Sequence, residues 1–295
     1  MRTPTSTSFE ASLASAHRLQ RLERASPQIN PACGSIVLDH GHGTARAVAF
    51  MHGITSTPVQ FHDLGALFYA RGYNVFIPRM PRHGYADRLT RDLAKLNVAE
   101  YTAYVNQTVD IARGLGDHLT VAGLSVSGVL AAWCAQTRAD VDLVVPIAPA
   151  FAPHVVPFQH MPGLARLLKL LPNLFVWWDF RLRAQVGQPC SYPRFATHAM
   201  AESFQLGVDV YRAAKRYPPA CNHILAVTNA RDIAINNSAT RAVLRRWRSH
   251  RTPSVREYTF GPQLGPLHDI IGPYQPHARV DYVYPILFDL IDASR

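Results

Sequence analysis

Lysine is scarce in this sequence of 295 residues. Lysine and arginine together number 30, and only Lys95, Lys169 and Lys215 are lysines. Against 20 acidic residues they give a formal net charge of +10. Such a charge attracts anionic partners in some proteins, but the arginines are scattered except between Arg241 and Arg256. Because no nucleic-acid-binding motif accompanies them, we expect a solvated basic surface and no nucleic-acid partner.

Cysteine is also sparse, and no two cysteines lie close together in the sequence. Cys33, Cys134, Cys190 and Cys221 form no CxxC pair, which argues against a structural zinc site and against a disulfide framework. We therefore expect reduced thiols and a cytoplasmic protein, with a secreted enzyme as the alternative. Cys134 falls in an apolar helical stretch, where we expect it to be a small buried side chain.

Long apolar runs are absent. No stretch of about eighteen uninterrupted apolar residues occurs, so we expect no transmembrane helix. The N-terminus also lacks the apolar core of a secretory signal. The sequence therefore predicts no stable insertion into a membrane, although transient contact with lipid is compatible with it.

Residues 1–34 are predicted to form an N-terminal arm with one short helix. Thr7 and Glu10 have the spacing of a capping box. Apolar residues then recur at helical spacing, at Phe9, Leu13, Ala16 and Leu19. We expect the apolar side of this helix to pack on the body of the protein.

Beyond the arm, short apolar stretches alternate with helical stretches. Strands are predicted at residues 35–39, 45–51, 74–77, 119–122, 143–147, 223–228 and 255–260. Helices are predicted at residues 59–71, in a stretch after Gly84 that ends at about Gly114, and at residues 129–136, 209–216, 239–248 and 280–291. This alternation is typical of βαβ units and predicts an α/β fold with a mainly parallel sheet. We expect one core, built from residues 35–150 and 205–295.

Residues 151–204 interrupt the alternation and are predicted to form a helical lid. Four leucines fall at i, i+3, i+4 and i+7 and so share one face of a helix; they are Leu164, Leu167, Leu168 and Leu171. The aromatic residues that follow are predicted to bind substrate, namely Phe175, Trp177 and Trp178. The alternative is that this segment is ordinary core helix and never contacts substrate.

The segment from Gly123 to Gly128 places a serine between an apolar strand and a helix. Small residues two positions before and after Ser125 allow a sharp turn. The N-terminus of the next helix offers free N–H groups and partial positive charge beside the hydroxyl. This is the pattern of a nucleophile elbow, with Ser127 in place of the usual last glycine. A turn without any chemical role has the same composition, so the assignment depends on finding a base and an acid.

Asp232 and His268 are predicted to be that acid and that base. In a parallel sheet the functional loops follow the carboxyl ends of strands, and both residues lie in loops directly after predicted strands. His277, in the same loop region, is the rival base. Three other acids are worse placed. Asp142 precedes a strand, Asp209 lies in a helix, and Asp269 directly follows the predicted base.

Two backbone N–H groups are predicted to stabilise an oxyanion. His52 and Gly53 follow a predicted strand, and a tight turn there presents the N–H of Ile54 beside that of Val126. Each such donor is typically worth about 3 kcal/mol in the transition state. We interpret His52 as structural support for the turn and not as a base.

With these residues the sequence resembles an α/β-hydrolase. The similarity rests on His52-Gly53, the proline-rich segment 78–84, the Ser125 elbow, Asp232 and His268. It extends over most of the chain beyond the N-terminal arm. Among α/β-hydrolases, the sequence is most similar to the bacterial carboxylesterases and monoacylglycerol lipases, which have a serine nucleophile and a small helical cap.

The resemblance implies a set of site residues and a chemistry. It implies a catalytic triad of Ser125, Asp232 and His268, with the oxyanion bound by Ile54 and Val126. It implies no metal and no organic cofactor.

The predicted activity is hydrolysis of a small-molecule carboxylic ester through an acyl-enzyme. Dehalogenases and epoxide hydrolases of this fold have an aspartate at the nucleophile position, so Ser125 favours acyl transfer. Short- to medium-chain acyl esters or monoacylglycerols are the predicted substrates. Thioesterase, amidase and acyltransferase activities use the same machinery and remain alternatives. A further alternative is a protein that binds a ligand in the same pocket without catalytic turnover.

Overall fold

The structure is a computed structural model that describes residues 8–178, 190–251 and 253–294. The strands in this part of the chain are β1 (Ile36–Leu38), β2 (Thr44–Met51), β3 (Asn74–Ile77), β4 (Gly116–Leu124), β5 (Leu143–Ile147), β6 (Phe175–Trp177), β7 (Arg194–Ala196), β8 (His223–Asn229) and β9 (Ser254–Phe260). Seven of them form one sheet in the order β1-β3-β2-β4-β5-β8-β9. Within this sheet only β1 runs antiparallel to its neighbour.

The helices of the described chain are α1 (Phe9–Ala25), α2 (His62–Ala70), α3 (Val98–Ala112), α4 (Val126–Thr137), α5 (Met161–Leu170), α6 (Thr197–Arg216), α7 (Asn237–Arg248) and α8 (Val280–Asp292). Helix α4 packs against β4, β5 and α6, and α1 packs against α3. Among the described residues, no helix combines the length and the apolar character needed to cross a membrane.

The predicted α/β class is confirmed, including the mainly parallel sheet. Strands β3 and β5 are buried at every residue, as expected for strands covered on both faces. The elbow strand β4 is longer than predicted, and α4 begins at Val126, directly after the serine. Because β2, β4, β8 and β9 are parallel, the loops that follow them meet at one edge of the sheet.

The N-terminal arm folds against this core through its helix. Helix α1 begins at Phe9, and the Ser8 side chain caps it by accepting a hydrogen bond from the N–H of Ala11. Thr7, the predicted cap, lies outside the described residues. Further along, the buried carboxylate of Glu23 accepts hydrogen bonds from the N–H and the hydroxyl of Ser35 and pairs with Arg79.

The segment predicted to be a helical lid is not wholly helical. Strands β6 and β7 pair antiparallel within it, where the sequence had indicated only helix. These strands are three residues long, too short for a period-2 pattern to stand out. The boundary at residue 204 also falls inside α6. The division of the chain into arm, core and lid therefore stays a prediction.

The predicted leucine stripe of the lid is rotated on α5. Ala165 is buried and Leu168 packs against the core, whereas Leu167 is 52% exposed and Leu171 is 48% exposed. The i, i+3, i+4, i+7 spacing correctly indicated a helix. It did not indicate which face turns inward, because Leu170 makes the opposite side apolar as well.

The expectation of four reduced cysteines is wrong for two of them. Cys33 is disulfide-bonded to Cys190, from which it is separated by 157 residues, whereas Cys134 and Cys221 are free and buried. Sequence spacing could not reveal this pair, because only folding brings the N-terminal arm beside the residues that precede β7. Structural disulfides are rare in cytosolic proteins. The prediction of a cytoplasmic protein thus loses one of its supports.

We expect alkylation to count two free thiols in the denatured, unreduced protein and four after reduction, as measured by intact mass. Four labels without reductant would contradict the pairing. A cross-link over a loop of this length typically stabilises a protein by about 2–5 kcal/mol, so Cys190→Ser should lower Tm by roughly 5–15 °C. Cys134→Ala, which leaves the disulfide intact, controls for the thiol count.

Candidate active site

Ser125 lies on a strained turn between β4 and α4. Its backbone has φ 60° and ψ −116°, a conformation that costs about 1–3 kcal/mol and persists only where the surroundings enforce it. A Cβ on Gly123 would lie 2.2 Å from the carbonyl oxygen of Ser127, and a Cβ on Gly128 would lie 2.7 Å from Cα of Pro149. Only glycine therefore fits at these two positions, and the turn holds the serine at the start of a helix.

The structure brings Ser125, His268 and Asp232 into one chain of hydrogen bonds. The Ser125 hydroxyl lies 2.8 Å from Nε2 of His268, and Nδ1 of His268 lies 2.8 Å from Oδ2 of Asp232. A carboxylate only accepts hydrogen bonds, so Nδ1 carries the proton and Nε2 is free to accept from the serine. This arrangement allows the imidazole to take the serine proton and the carboxylate to stabilise the resulting cation.

The loop after β8 holds the Asp232 carboxylate rigidly. The side chain of Asp232 is fully buried, and its Oδ1 accepts hydrogen bonds from the N–H groups of Ala234 and Ile235. The buried amide of Asn229 connects this loop to the histidine loop, since Nδ2 donates to the carbonyls of Gly265 and Leu267. Sequence analysis did not single out Asn229, although its place at the end of β8 beside Asp232 was a usable signal.

Two backbone N–H groups close to Ser125 in the fold have no hydrogen-bond partner among the described residues. The N–H of Val126 is the first of α4, and the N–H of Ile54 lies in the turn after β2. By contrast, the N–H groups of Gly53 and Thr55 both donate to side chains. We call residues 52–55 the oxyanion loop, after the role that the sequence predicts for the N–H of Ile54.

Two buried histidines support the oxyanion loop. His52 contacts the carbonyl of Gly53 through Nδ1 and accepts from the N–H of Met80 at Nε2. His83 accepts from the N–H of Thr55 at Nε2. Burial lowers the pKa of His83 to about 4 and that of His52 well below its ordinary value. Both rings are therefore neutral near pH 7, with one donor and one acceptor nitrogen each, which agrees with a structural role for His52.

Ser127 and Tyr192 hold the same loop from two other elements. The Ser127 hydroxyl donates to the carbonyl of His52 at 2.5 Å, so the residue that replaces the usual glycine ties α4 to the loop. The N–H of Tyr192 donates to the carbonyl of Thr55 at 2.6 Å. Tyr192 lies two residues after Cys190, so the disulfide anchors the segment that braces the loop. No local sequence pattern signals either contact.

A cavity of about 600 Å³ opens onto Ser125, a size typical of small-molecule sites. Its polar lining residues include Thr55, Gln60, Asp269 and Gln275, most of which lie in or beside the loops that carry Ile54 and His268. The remaining wall is mainly apolar, and its side chains come largely from α5, β7, α6 and the loop after β8; they include Leu168, Phe195, Met200, Phe204 and Ile233. The cavity thus offers a polar end at the reacting groups and an apolar body.

Of the three aromatic residues predicted to bind substrate, one lines the cavity. Trp178 lies in the wall and donates from Nε1 to the carbonyl of Tyr192. Phe175 and Trp177 are not among the described lining residues, so their contact with substrate stays a prediction without support from the cavity wall. They lie two apart on β6, on the face where the Arg194 guanidinium stacks at 4.3 Å from the Phe175 ring. Arg194 is on β7, and the pairing of β6 with β7 places the Phe175 and Trp177 rings beside its guanidinium.

The rival residues lie elsewhere. His277 is exposed and does not line the cavity. Asp142 pairs with Arg113 at the start of its strand, and Asp209 pairs with Arg212 on the surface of α6. Asp269 lines the cavity but bonds to Gln60, not to His268. Gln60, which sequence analysis did not consider, carries no motif that could have identified it.

Taken with the mainly parallel sheet, a serine elbow after β4, an acid after β8 and a histidine after β9 define an α/β-hydrolase. Residues 43–252 match the model of the family described as serine aminopeptidase, S33. This range is more than half of the chain, and the chain belongs to that family. His268 lies beyond the matched range.

Individual relatives agree on the fold. The thermostable monoacylglycerol lipase of Bacillus sp. (strain H-257) is 28% identical over 100 residues, which are 34% of this chain and 39% of that relative. The crystal structure of Paleococcus ferrophilus monoacylglycerol lipase has a TM-score of 0.65 at 17% identity, covering 88% of this chain and 98% of its own. A structure from a study of the metagenome-derived lipolytic enzymes LipS and LipT has a TM-score of 0.64 at 18% identity, covering 90% and 99%.

Proposed function

We propose that the protein is a serine hydrolase that cleaves carboxylic esters of short to medium acyl chains. One observation carries this proposal. The Ser125–His268–Asp232 chain of hydrogen bonds lies at the polar end of a largely apolar cavity, beside two unpartnered N–H groups. An ester has the same division, with a polar carbonyl to be attacked and an apolar acyl chain to be buried.

The chemistry follows from the geometry in two steps. His268 takes the Ser125 proton as the oxygen attacks the ester carbonyl, and the N–H groups of Ile54 and Val126 bind the oxyanion. The tetrahedral intermediate collapses, and His268 returns the proton to the leaving alcohol. Water then repeats the attack on the acyl-serine with His268 as base, which releases the carboxylic acid and restores the serine.

An ester suits the cavity better than the peptide substrate that the family description names. An aminopeptidase site requires a group that binds the α-ammonium of its substrate. Asp269 is the only carboxylate among the described lining residues. Its two oxygens already accept hydrogen bonds from four donors, which fills the acceptor capacity of a carboxylate. The cavity therefore favours an acyl group without a positive charge over an aminoacyl group.

We expect kcat/KM for p-nitrophenyl esters to rise with acyl length until the cavity is full, by roughly fourfold per methylene. Each buried CH₂ gains about 0.8 kcal/mol. Met200→Trp, which narrows the apolar body, should move the optimum toward acetate. Val176→Trp, on an exposed position of β6, is the matched control and should leave the optimum in place. Activity that falls steadily from acetate upward, or faster cleavage of aminoacyl p-nitroanilides, would contradict the proposal.

A further inference from the structure

Gln60 is a polar side chain buried beside the site whose role the hydrolytic steps do not explain. It lies in the short 3₁₀ turn that precedes α2 and is 4% exposed. Each of its two amide atoms has one partner. Oε1 accepts from the N–H of Gly53 at 2.8 Å, and Nε2 donates to Oδ2 of Asp269 at 2.8 Å.

The orientation of this amide is dictated by its partners. A backbone N–H only donates and a carboxylate only accepts, so the oxygen must face Gly53 and the nitrogen must face Asp269. Neither a hydrocarbon nor a charged carboxylate of the same length satisfies both ends. Glutamine is the residue that this bridge requires.

Both partners of Gln60 are covalent neighbours of the reacting groups. Gly53 precedes Ile54, whose N–H is the proposed oxyanion donor, and Asp269 follows His268, the proposed base. A single amide thus connects the oxyanion loop to the histidine loop. The distance between the oxyanion donor and the imidazole is held across Ser125 by this link.

The far end of the bridge is itself held firmly. Oδ1 of Asp269 accepts hydrogen bonds from the N–H groups of Ile271 and Gly272, and Oδ2 accepts a second one from Gln275. Ile271 is fully buried. Rotation of the carboxylate would break several of these bonds at once, so Asp269 can transmit a fixed position to Gln60.

We propose that Gln60 and Asp269 act as a positioning pair, which sets the placement of the Ile54 N–H relative to His268 in the transition state. The inference rests on the proposed function, because it assigns a role within the same acyl transfer. Neither residue touches the reacting atoms. Their effect should therefore appear in kcat, with little change in KM, since the oxyanion exists only during the chemical step.

Reversal of the polarity of the bridge tests this proposal. Gln60→Glu keeps an acceptor for Gly53 but turns a second carboxylate oxygen toward Asp269. At pH 8 we expect kcat to fall roughly 10- to 100-fold, while KM stays within about threefold of the wild-type value. The upper end of this range is the loss typical of removing one oxyanion donor. Asp269→Asn alone should lower kcat about tenfold, because its new NH₂ group faces the donor of Gln60. In the double variant the new amide at position 269 supplies a donor and the new carboxylate at position 60 an acceptor, so the bridge again joins a donor to an acceptor. Its kcat should return to within about fivefold of wild type.

The pH dependence of Gln60→Glu gives a second signature. Two facing carboxyl groups share a proton at low pH and repel when both ionise. The ratio of variant to wild-type kcat should therefore be highest near pH 5 and fall as pH rises. Titratable neighbours of the pair include His268, the adjacent residue, and Tyr284, which itself lies near Asp63 and Tyr274. An added negative charge beside His268 would by itself favour the imidazolium and lower the ratio near pH 5, so a ratio that is highest there reports the carboxyl pair. Gln263→Glu, the same change on an exposed residue outside the cavity, should give a ratio that is flat with pH.

A wild-type kcat in Gln60→Glu at pH 8 would overturn the proposal. It would also be overturned if the double variant had a wild-type Tm but a kcat no higher than that of the less active single variant. If Gln60→Glu does not fold, Gln60→Met replaces it, and a wild-type kcat there has the same consequence. Wild-type ester turnover reports on the proposed function separately. Should it be absent, the rate at which a fluorophosphonate modifies Ser125 serves as the readout for the same variants.

Discussion

Ser125→Ala should lower kcat for every ester by roughly 10⁴- to 10⁶-fold, the loss typical of removing one member of a triad. The alanine cannot form the acyl intermediate. The oxyanion loop and the cavity are still present, but they supply only a small residual rate enhancement. Folding should be preserved, because the hydroxyl faces the cavity and its removal leaves no void in the core. We expect Tm within about 2 °C of wild type, measured beside steady-state kinetics.

Ser203→Ala is the matched control for this variant. Ser203 is buried on α6, and its hydroxyl has no hydrogen-bond partner among the described atoms. Ser203 is not among the residues that line the cavity, so removal of its hydroxyl should leave activity at the wild-type level. If Ser125→Ala keeps a tenth of wild-type kcat, the nucleophile is another residue.

His268→Ala should be as damaging as Ser125→Ala, and the double variant should be hardly worse than either single variant. The serine is a weak nucleophile without its base, so removal of either partner stops the same step. Asp232→Asn should lower kcat by about 10⁴-fold, because the neutral amide no longer stabilises the imidazolium. The measurement is kcat for the three single variants and the double variant on one p-nitrophenyl ester.

His277→Ala separates the proposed base from its rival. His277 is exposed and lies outside the cavity wall, so its loss should change kcat less than about threefold. A more severe effect at His277 than at His268 would assign the base to His277. Additive losses in the Ser125 and His268 double variant would show that the two residues act in separate steps.

The sequence predicts those structural features that are determined by residues close together in the chain. The strand before Ser125, the small residues around it and the helix after it all lie within one short segment, and the predicted α/β-hydrolase fold is confirmed. Asp232 and His268 were predicted from their places after strands, and the structure brings both to Ser125. Their catalytic roles remain predictions.

Contacts between distant segments were missed for a physical reason. The Cys33–Cys190 disulfide spans 157 residues, and the Gln60–Asp269 bond joins loops that meet only in the folded sheet. A buried hydrogen bond needs no particular spacing in the chain, so no periodicity marks it. The two strands within the predicted lid were missed for another reason, because β6 and β7 are each only three residues long.

Localisation of a fluorophosphonate adduct by tandem mass spectrometry tests the central claim most directly. The reagent forms a stable phosphonyl ester with an activated serine and requires no knowledge of the natural substrate. We expect one adduct per chain, on Ser125. Its rate of formation should fall by roughly 10³-fold or more in His268→Ala, and excess ester substrate should suppress it. An adduct on another residue, or labelling of Ser125 at the wild-type rate without His268, would contradict the claim.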